Sequence, residues 1–314
     1  MRFATLNNND LRTAGKTFYV KSVVPGLRCL LLILFSICST SAWSACRDSG
    51  AQLQILGSGG PGHSGGRASS GYLLWVDGES RILVDAGSGT KDQFHRAGAD
   101  LADIGLIALS HLHPDHSAEL PAILWPNGGS FTVSGPTGAG VYPSIESFLT
   151  TLFGPGGAYQ IVGDRSEFEV ITVDTSGTDP VDVWHEEAIL VRGRSVPHSD
   201  VPTIGYRIDI GEISIAFASD QNGSNPAFID FIRGVDFLVI HMAAGEDATG
   251  FIAQLHAKPS AWGQMAQDAQ VGRVIVSHIS SSSPEVLEER LAIVSASYSG
   301  ALTVGEDLLC VELD

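Results

Sequence analysis

The sequence predicts an α/β layered domain, because short apolar runs rich in β-forming residues alternate with amphipathic segments. Seven runs predict strands, at 51–56, 72–76, 81–86, 104–110, 213–219, 235–241 and 272–278. Five segments predict helices, at 118–124, 143–153, 226–234, 259–270 and 284–295. Glycine-rich polar turns separate these elements. We expect one domain, in which residues 154–185 form an irregular β-hairpin that overhangs a site.

The first 45 residues differ in composition from the rest of the chain. They carry five Lys and Arg residues against one acid, then the ten-residue apolar run 29–38, then small residues up to Ala45. This order is typical of a secretory signal peptide, and the apolar run is short for a membrane span. We therefore predict a signal peptide over 1–45, a mature domain over 46–314, and a secreted or periplasmic protein with no membrane contact beyond signal processing.

Cys46 and Cys310 are the two cysteines of the predicted mature chain, because the other two fall in the leader. In an exported protein, one pair near the two ends favours a disulfide that ties the termini together. The alternative is a lipid on Cys46, since the small residues before it suit a lipoprotein signal, although a bulky Trp43 precedes them.

The predicted mature chain is strongly acidic. Five of the 18 Lys and Arg residues and one of the 35 Asp and Glu residues lie in 1–45, which leaves 13 and 34 and a net charge of −21. Such a surface repels phosphate backbones and releases few counterions from them. We therefore expect that long nucleic acid is not a partner. A small anionic ester remains compatible, because a metal centre can dominate the local field.

The motif HLHPDH, His111–His116, follows one predicted strand and precedes a predicted helix. Alternation along an extended segment points His111 and His113 to one side, and Asp115 and His116 follow on the turn. One metal ion takes three or four N or O ligands, so this hexapeptide can serve two neighbouring ions. A polar helix-capping turn is the alternative, but three His and one Asp within six residues favour metal binding.

The motif resembles the His-x-His-x-Asp-His signature of the metallo-β-lactamase superfamily, whose fold is a four-layer αβ/βα sandwich. The resemblance continues along the chain. RILVDAG (81–87) supplies Asp85, which would orient the metal histidines, SVPHSD supplies His198, FASD supplies Asp220 and IVSHIS supplies His278. His198 comes 82 residues after the motif, and Asp220 comes 22 residues after His198.

The resemblance implies two zinc ions per chain. The implied ligands are His111, His113 and His198 for one ion, Asp115, His116 and His278 for the other, and Asp220 together with a hydroxide bridging both. Two cations lower the pKa of a shared water and stabilise the charge that develops on a phosphoryl, sulfuryl or carbonyl centre. Manganese or iron would suit the same N and O ligands.

The segment 255–280 is similar to the ribonuclease Z and arylsulfatase group of this superfamily. His256 lies where that group has a His that opens a helix, so the resemblance implies that His256 protonates the leaving group. Asp115 is the other candidate for a catalytic role. The Glu that the family often has after the preceding strand is absent here, because Met242 follows His241.

One difference from ribonuclease Z bears on the substrate. That enzyme carries a long basic arm between its counterparts of His198 and Asp220, where this chain has only 21 residues. Together with the acidic charge, this difference leads us to expect no role in tRNA maturation. The short spacing also suits lactonase-like members of the superfamily.

These observations predict an exported dinuclear zinc hydrolase of the ribonuclease Z-like or arylsulfatase-like branch, cleaving a small phosphodiester or sulfate ester. Hydrolysis of a lactone or another carboxylic ester is the enzymatic alternative. A non-catalytic zinc-binding module on the same fold is the alternative of a different class. The presence of all seven implied ligands favours an enzyme. A homodimer is compatible with the sequence.

Overall fold

The computed structural model describes residues 46, 49–62, 64–177 and 179–314. The predicted signal peptide therefore lies outside the described residues. Within the described ranges, no helix combines the length and the apolar character that a membrane span requires.

Two mixed β-sheets form the centre of the fold. In the described part of the chain, the first sheet has seven strands: β1 (Ala51–Gly57), β2 (Gly71–Val76), β3 (Glu79–Val84), β4 (Leu106–Ala108), β5 (Gly129–Pro136), β6 (Ser166–Val173) and β14 (Cys310–Glu312). The second sheet, counted over the same residues, also has seven: β7 (Val181–Glu186), β8 (Ile189–Val196), β9 (Thr203–Ile210), β10 (Ile213–Phe217), β11 (Phe237–His241), β12 (Arg273–Ser277) and β13 (Ala301–Val304).

The two sheets repeat one pairing scheme. In the first sheet the order is β14-β1-β2-β3-β4-β5-β6, antiparallel as far as β3 and parallel from β3 to β6. In the second the order is β7-β8-β9-β10-β11-β12-β13, antiparallel as far as β10 and parallel beyond it. Parallel strands end at the same edge of a sheet. The residues that follow β3 and β4, and those that follow β10, β11 and β12, are therefore grouped together.

Nine α-helices connect the strands in the described part of the chain. They are α1 (Thr90–Ala97), α2 (Pro114–Ser117), α3 (Leu120–Leu124), α4 (Ile145–Phe153), α5 (Gln160–Gly163), α6 (Pro226–Phe231), α7 (Gly250–Leu255), α8 (Pro259–Asp268) and α9 (Pro284–Ser297). Side-chain caps define several of their starts. Ser144, Asn225 and Ser283 accept hydrogen bonds from backbone N–H groups in the first turns of α4, α6 and α9, which satisfies donors that a helix start leaves free.

Alternation along the strands divides the buried apolar residues into three cores. Leu53 and Ile82 of the first sheet meet Val191 and Ile215 of the second in the core between the sheets. The outer face of the first sheet packs on α1, α3 and α4, and that of the second packs on α6, α8 and α9. Each fully buried Leu or Ile contributes about 1.5–3 kcal/mol to folding. This arrangement confirms the predicted four-layer αβ/βα sandwich.

The segment 154–185 does not form the predicted hairpin. It contains α5 and the strands β6 and β7, but β6 pairs with β5 in the first sheet and β7 pairs with β8 in the second. The chain crosses between the sheets here, which local alternation does not reveal. The predictions also omitted β5, β8, β9, β13 and β14. Gly and Pro interrupt β5, and the predictions relied on continuous apolar runs, which charged residues interrupt in β8 and β9.

Cys46 and Cys310 form a disulfide, with their Cα atoms 5.6 Å apart. Cys310 begins β14, which pairs with β1, so the bond joins the segment before the first strand to the last strand. The favoured interpretation of the two cysteines is therefore confirmed, and Cys46 has no free thiol to carry a lipid.

Candidate metal centre

The HLHPDH motif forms the turn between β4 and α2. His111 comes three residues after β4, His113 precedes α2 as its N-cap, and Asp115 and His116 lie within this short helix. His111 Nε2 and His113 Nδ1 are 3.0 Å apart. Both His111 and His116 are fully buried. The local fold therefore places three imidazoles and one carboxylate around a single point at the edge of the first sheet.

Asp85 orients this turn from the adjacent strand end. Its carboxylate accepts hydrogen bonds from the backbone N–H and the hydroxyl of Ser110, at 2.7 and 2.9 Å. His116 Nδ1 donates to the same carboxylate at 2.7 Å, so His116 Nε2 is directed into the centre, where it has no hydrogen-bond partner among the described residues. Asp85 has a φ of 59°, an unusual backbone conformation for a residue other than glycine. Asp85 thus performs the orienting role that the resemblance implied.

The second sheet contributes from separate loops. His198 follows β8, Asp220 follows β10, and His278 directly follows β12 with a φ of 48°. His198 Nδ1 donates to the carbonyl oxygen of Leu255 at 2.8 Å. Its Nε2 atom is buried and has no hydrogen-bond partner in the described part of the structure. Each side chain therefore projects a nitrogen or oxygen toward the HLHPDH turn.

Asp220 lies between the ligands of the first sheet and the other ligands of the second sheet. Its Oδ2 atom is 3.7 Å from His116 Nε2 and 3.8 Å from His198 Nε2. Its Oδ1 atom is 3.4 Å from His278 Nε2. Asp115 completes the same side, 3.6 Å from His116 Nε2 and 3.3 Å from His278 Nε2. The structure thus brings all seven predicted ligands together, with Asp220 at their centre.

Ligand atoms in this centre suit metal ions. Within the described residues, the atoms of His111, His113 and His198 lie within 4.8 Å of one another, and so do those of His116, Asp220, His241 and His278. Two ligands of a tetrahedral zinc, each about 2.0–2.1 Å from it, lie about 3.4 Å apart. The separations of 3.4–3.8 Å around Asp220 are close to that value and are longer than ordinary hydrogen bonds. The residues present therefore fit a dinuclear metal site.

Protonation in the centre favours cation binding as well. Burial lowers the pKa of His111 well below its usual value and lowers that of His198 to about 4, so both imidazoles keep a free lone pair. Burial would raise the pKa of Asp220, but the charges of His278 and His116 hold it well below its usual value. The centre therefore offers an ionised carboxylate and neutral imidazoles at His111 and His198, which are the protonation states that metals bind. At His116, burial would lower the pKa, but the charges of Asp85 and Asp220 raise it well above its usual value, so a bound cation would replace a proton there.

His241 and Tyr72 belong to the centre, although the sequence analysis gave neither a role. His241 Nδ1 donates to Asp220 Oδ1 at 2.7 Å. The Tyr72 hydroxyl lies 3.2 Å from His241 Nε2 and 2.9 Å from Ser277 Oγ. Because its Nδ1 atom is engaged, His241 positions Asp220 from behind. Its place at the end of β11 was the available signal, since β11 lies between the strands that carry Asp220 and His278.

Two glycines allow the backbone to approach the ligands closely. A Cβ atom on Gly60 would come within 2.4 Å of the His278 ring, and one on Gly87 would come within 2.1 Å of the Asp115 carbonyl oxygen. The glycine-rich loop after β1 therefore packs directly on a metal-site histidine. Asp307 anchors this loop by accepting hydrogen bonds from the backbone N–H groups of Ser58 and Ala68, at 3.0 and 2.7 Å.

His256 lies at the rim of the centre, directly after α7. Its Nδ1 atom is 3.7 Å from Asp220 Oδ2, and its ring centroid is 5.2 Å from that of His198. The side chain is 14% exposed, whereas those of His111, His116 and His278 are fully buried. His256 is therefore reachable by a substrate held at the metal site, as a proton donor must be.

Comparison with known proteins identifies similar chains. Residues 80–279 match the family described as the beta-lactamase superfamily domain. A ribonuclease Z of Mycobacterium bovis (strain BCG / Pasteur 1173P2) is 27% identical over 282 residues, which cover 83% of this chain and 98% of that protein.

Two solved structures share the fold. The metallo-beta-lactamase fold protein YhfI from Bacillus subtilis superposes with a TM-score of 0.66 at 19% identity, over 83% of this chain and 98% of that one. The short form of human tRNase Z superposes with a TM-score of 0.64 at 19% identity, over 84% of this chain and 99% of that one. The fold is therefore the metallo-β-lactamase fold, as predicted.

These comparisons correct one expectation. The prediction that long nucleic acid is not a partner is wrong, because the similar proteins include enzymes named ribonuclease Z and tRNase Z. The expectation of no role in tRNA maturation rested partly on the same net charge and loses that support, whereas the short connection between His198 and Asp220 is a feature of this chain. Net charge sums over the whole surface, whereas a substrate responds to the field at its own site.

Proposed function

Since the chain belongs to the beta-lactamase superfamily, as a hydrolase of that superfamily, we propose that it hydrolyses phosphodiester bonds and that RNA is its substrate. The observation that supports the chemistry is the pair of ligand groups meeting at Asp220, with unpartnered nitrogens of His116 and His198 directed between them. The observation that supports the substrate is the similarity to ribonuclease Z over most of the chain.

Two zinc ions per chain fit the site. His111, His113 and His198 would hold one, His116, His278 and Asp115 would hold the other, and Asp220 would contact both. When bound, the ions supply Lewis acidity to the phosphoryl group and an attacking hydroxide near neutral pH.

The protein side chains supply orientation and proton transfer. Asp85 holds the His116 ring and His241 holds Asp220, so these ligands keep their positions before the substrate arrives. Asp115 is half-buried beside the His278 ring, and the hydrogen bond and charge of that ring lower its pKa to about 2 despite burial. It therefore stays ionised throughout turnover. His256, at the rim, donates the proton to the departing oxygen.

Export remains part of the proposal. The disulfide between Cys46 and Cys310 supports it, because such bonds persist in oxidising compartments. The protein would then act on RNA outside the cytosol, in the periplasm or the medium.

A small phosphodiester is the second candidate substrate. The observation that favours it is the tight connection between β9 and β10, at Gly211 and Glu212, which leaves no projecting segment between His198 and Asp220. Sulfate esters and lactones use the same chemistry and belong in the same assay.

A substrate panel tests the proposal. Mature protein loaded with zinc would be assayed on a tRNA precursor, bis-nitrophenyl phosphate, nitrophenyl sulfate and a simple lactone, beside His116→Ala and the exposed-histidine control His95→Ala. We expect turnover of both phosphodiesters by the wild type and by His95→Ala, and loss of both in His116→Ala. Turnover of only the sulfate or the lactone would contradict the phosphodiesterase assignment. Bound metal without any turnover would favour a binding module.

A further inference from the structure

An arginine pocket lies on the outer face of the second sheet, away from the metal centre. Arg192 and Arg194 of β8 and Arg207 of β9 line an open pocket of about 460 Å³. Its other wall includes Ala227 and Phe231 of α6. We infer that this arginine pocket binds backbone phosphates of the RNA substrate. The inference rests on the proposed function and gives that function a second contact surface.

Strand register brings the three arginines together. Arg192 on β8 is paired directly with Arg207 on β9, and Arg194 follows two residues later on the same face of the sheet. Val191 and Gly193, the neighbours of Arg192 in sequence, are buried on the opposite face. Three guanidinium groups therefore share one surface in a chain with only 18 Lys and Arg residues.

The carboxylates nearby do not neutralise this pocket. Asp209 alone serves both Arg192, at 2.6 Å, and Arg207, at 2.9 Å. A carbonyl oxygen of Phe231 also accepts from Arg207, at 3.1 Å. The side chain of Arg194 makes no hydrogen bond or ion pair with any residue that the structure describes, and its Nε atom is buried without a partner there.

The surrounding charges leave the balance positive. Asp230, at the rim, pairs with Arg233 at 2.7 Å. Asp182 stands in the register position opposite Arg192 on β7, is exposed, and forms no ion pair within the described residues. Of the described residues that line the pocket, Arg192, Arg194 and Arg207 are positively charged, and Asp230 is the one acidic residue. The arginine pocket is thus a cationic surface on a strongly acidic protein.

The chemistry of the arginine pocket selects phosphate. A guanidinium is planar and matches phosphate oxygens with two parallel N–H donors. A buried Nε–H without a partner is unfavourable, and an anionic oxygen would satisfy it. Because Arg192 and Arg207 are already held by Asp209, they are ordered before any ligand binds, and Arg194 is the group free to engage it.

The position of the arginine pocket indicates a polymer. Arg192 and Arg194 lie in β8, which ends at Val196. His198 of the metal centre follows two residues after the end of the strand. His198 is four positions after Arg194, which in extended chain places their Cα atoms about 13 Å apart. A small phosphodiester held at the metal centre does not reach that far, whereas an RNA strand presents further phosphates along its length. The arginine pocket would therefore distinguish RNA from small esters.

RNA binding by matched arginine variants tests the inference. The probe is a fluorescein-labelled, phosphorothioate-linked oligouridylate, which resists hydrolysis, and its anisotropy is measured with zinc-loaded protein over a range of salt concentrations. The variants are Arg194→Gln, Arg194→Lys and Arg273→Gln. Arg273 is exposed at the start of β12, opposite the end that leads to His278, so its replacement makes the same change in charge elsewhere.

We expect Arg194→Gln to bind the probe about five- to tenfold more weakly, with a salt slope smaller by about 0.7 for one lost phosphate contact. Arg194→Lys should fall between it and the wild type, because it keeps the charge and loses the planar pair of donors. Arg273→Gln should bind like the wild type. The thermal midpoint of each variant shows whether it is folded, and Arg194→Lys keeps the test valid if Arg194→Gln does not fold.

Equal affinity and salt slope for Arg194→Gln and Arg273→Gln would overturn the inference. Failure of the wild type to bind the probe would overturn it as well. Turnover of bis-nitrophenyl phosphate by the same wild-type preparation separates the two proposals. Turnover without RNA binding would contradict phosphate binding by the arginine pocket and support the phosphodiesterase activity. RNA binding without turnover would support the arginine pocket and contradict the phosphodiesterase activity.

Discussion

The two sheets contribute to the metal centre in different ways. The first sheet supplies His111, His113, Asp115 and His116 from one turn of six residues, held from behind by Asp85. The second sheet supplies its candidate ligands from separate loops spread from residue 198 to residue 278. The ligands of the first sheet come together locally, because they belong to one short turn. The ligands of the second sheet come together only when the strand order of the whole sheet is correct, so their positions depend on one another.

Asp220→Ala should have the largest effect, because Asp220 contacts ligands from both sheets. We expect metal to be lost from both groups and turnover of bis-nitrophenyl phosphate to fall by about 10³-fold or more. Metal content and kcat/KM would be measured together, with the exposed Asp268→Ala as control. An active Asp220→Ala protein with full metal content would show that the ligands of each sheet bind metal without the link that Asp220 provides.

His256→Ala should have the next largest effect, and only for demanding substrates. A lost proton donor costs about 10²–10⁴-fold when the leaving oxygen is basic, and much less when it is a nitrophenolate, which leaves without help. The comparison is kcat/KM on RNA against bis-nitrophenyl phosphate, with His185→Ala as a control. Equal losses on both substrates would remove the proton-donor role from His256.

Asp85→Asn tests the contribution of the first sheet. Since Asp85 accepts from His116 Nδ1 and from Ser110, the amide would weaken the orientation of the turn and lower zinc affinity by about 10–100-fold. Competition with a chelator measures that affinity, and the exposed Asp92→Asn serves as control. Unchanged affinity would mean that the turn holds its shape without support from β3.

Tyr72→Phe should have the smallest effect. Tyr72 lies on β2 of the first sheet, but its hydroxyl bonds His241 and Ser277 of the second, so it links the two contributions. Removing the hydroxyl leaves buried partners unsatisfied, at a cost of about 1–3 kcal/mol in unfolding free energy. Denaturant unfolding and kcat/KM would both be measured. A loss of stability with less than about a tenfold loss of rate is expected, and a larger rate loss would place Tyr72 closer to the chemistry.

The contrast between the two sheets also explains what could be predicted. The HLHPDH turn was recognisable because its ligands are neighbours in sequence and follow an apolar strand. The layered fold followed from the alternation of strands and helices. His241 was not assigned a role, because its contact with Asp220 depends on β11 lying next to β10. Position along the chain does not show which strand ends meet.

The arginine pocket escaped prediction for a related reason. Strands β8 and β9 were not predicted, so the pairing of Arg192 with Arg207 could not be inferred. Net charge added every acidic residue in the chain and concealed a pocket lined by three arginines. The exclusion of nucleic acid came from that sum, which does not describe the charge at any one place on the surface.

Metal stoichiometry tests the central claim most directly. Elemental analysis by mass spectrometry would count zinc per chain in the wild type, in His111→Ala and in His278→Ala. We expect two ions in the wild type and fewer in each variant. The loss should be smaller in His111→Ala than in His278→Ala, because the other ligands of the HLHPDH turn remain in place. One ion per chain in the wild type, or two retained in both variants, would contradict a dinuclear centre built from both sheets.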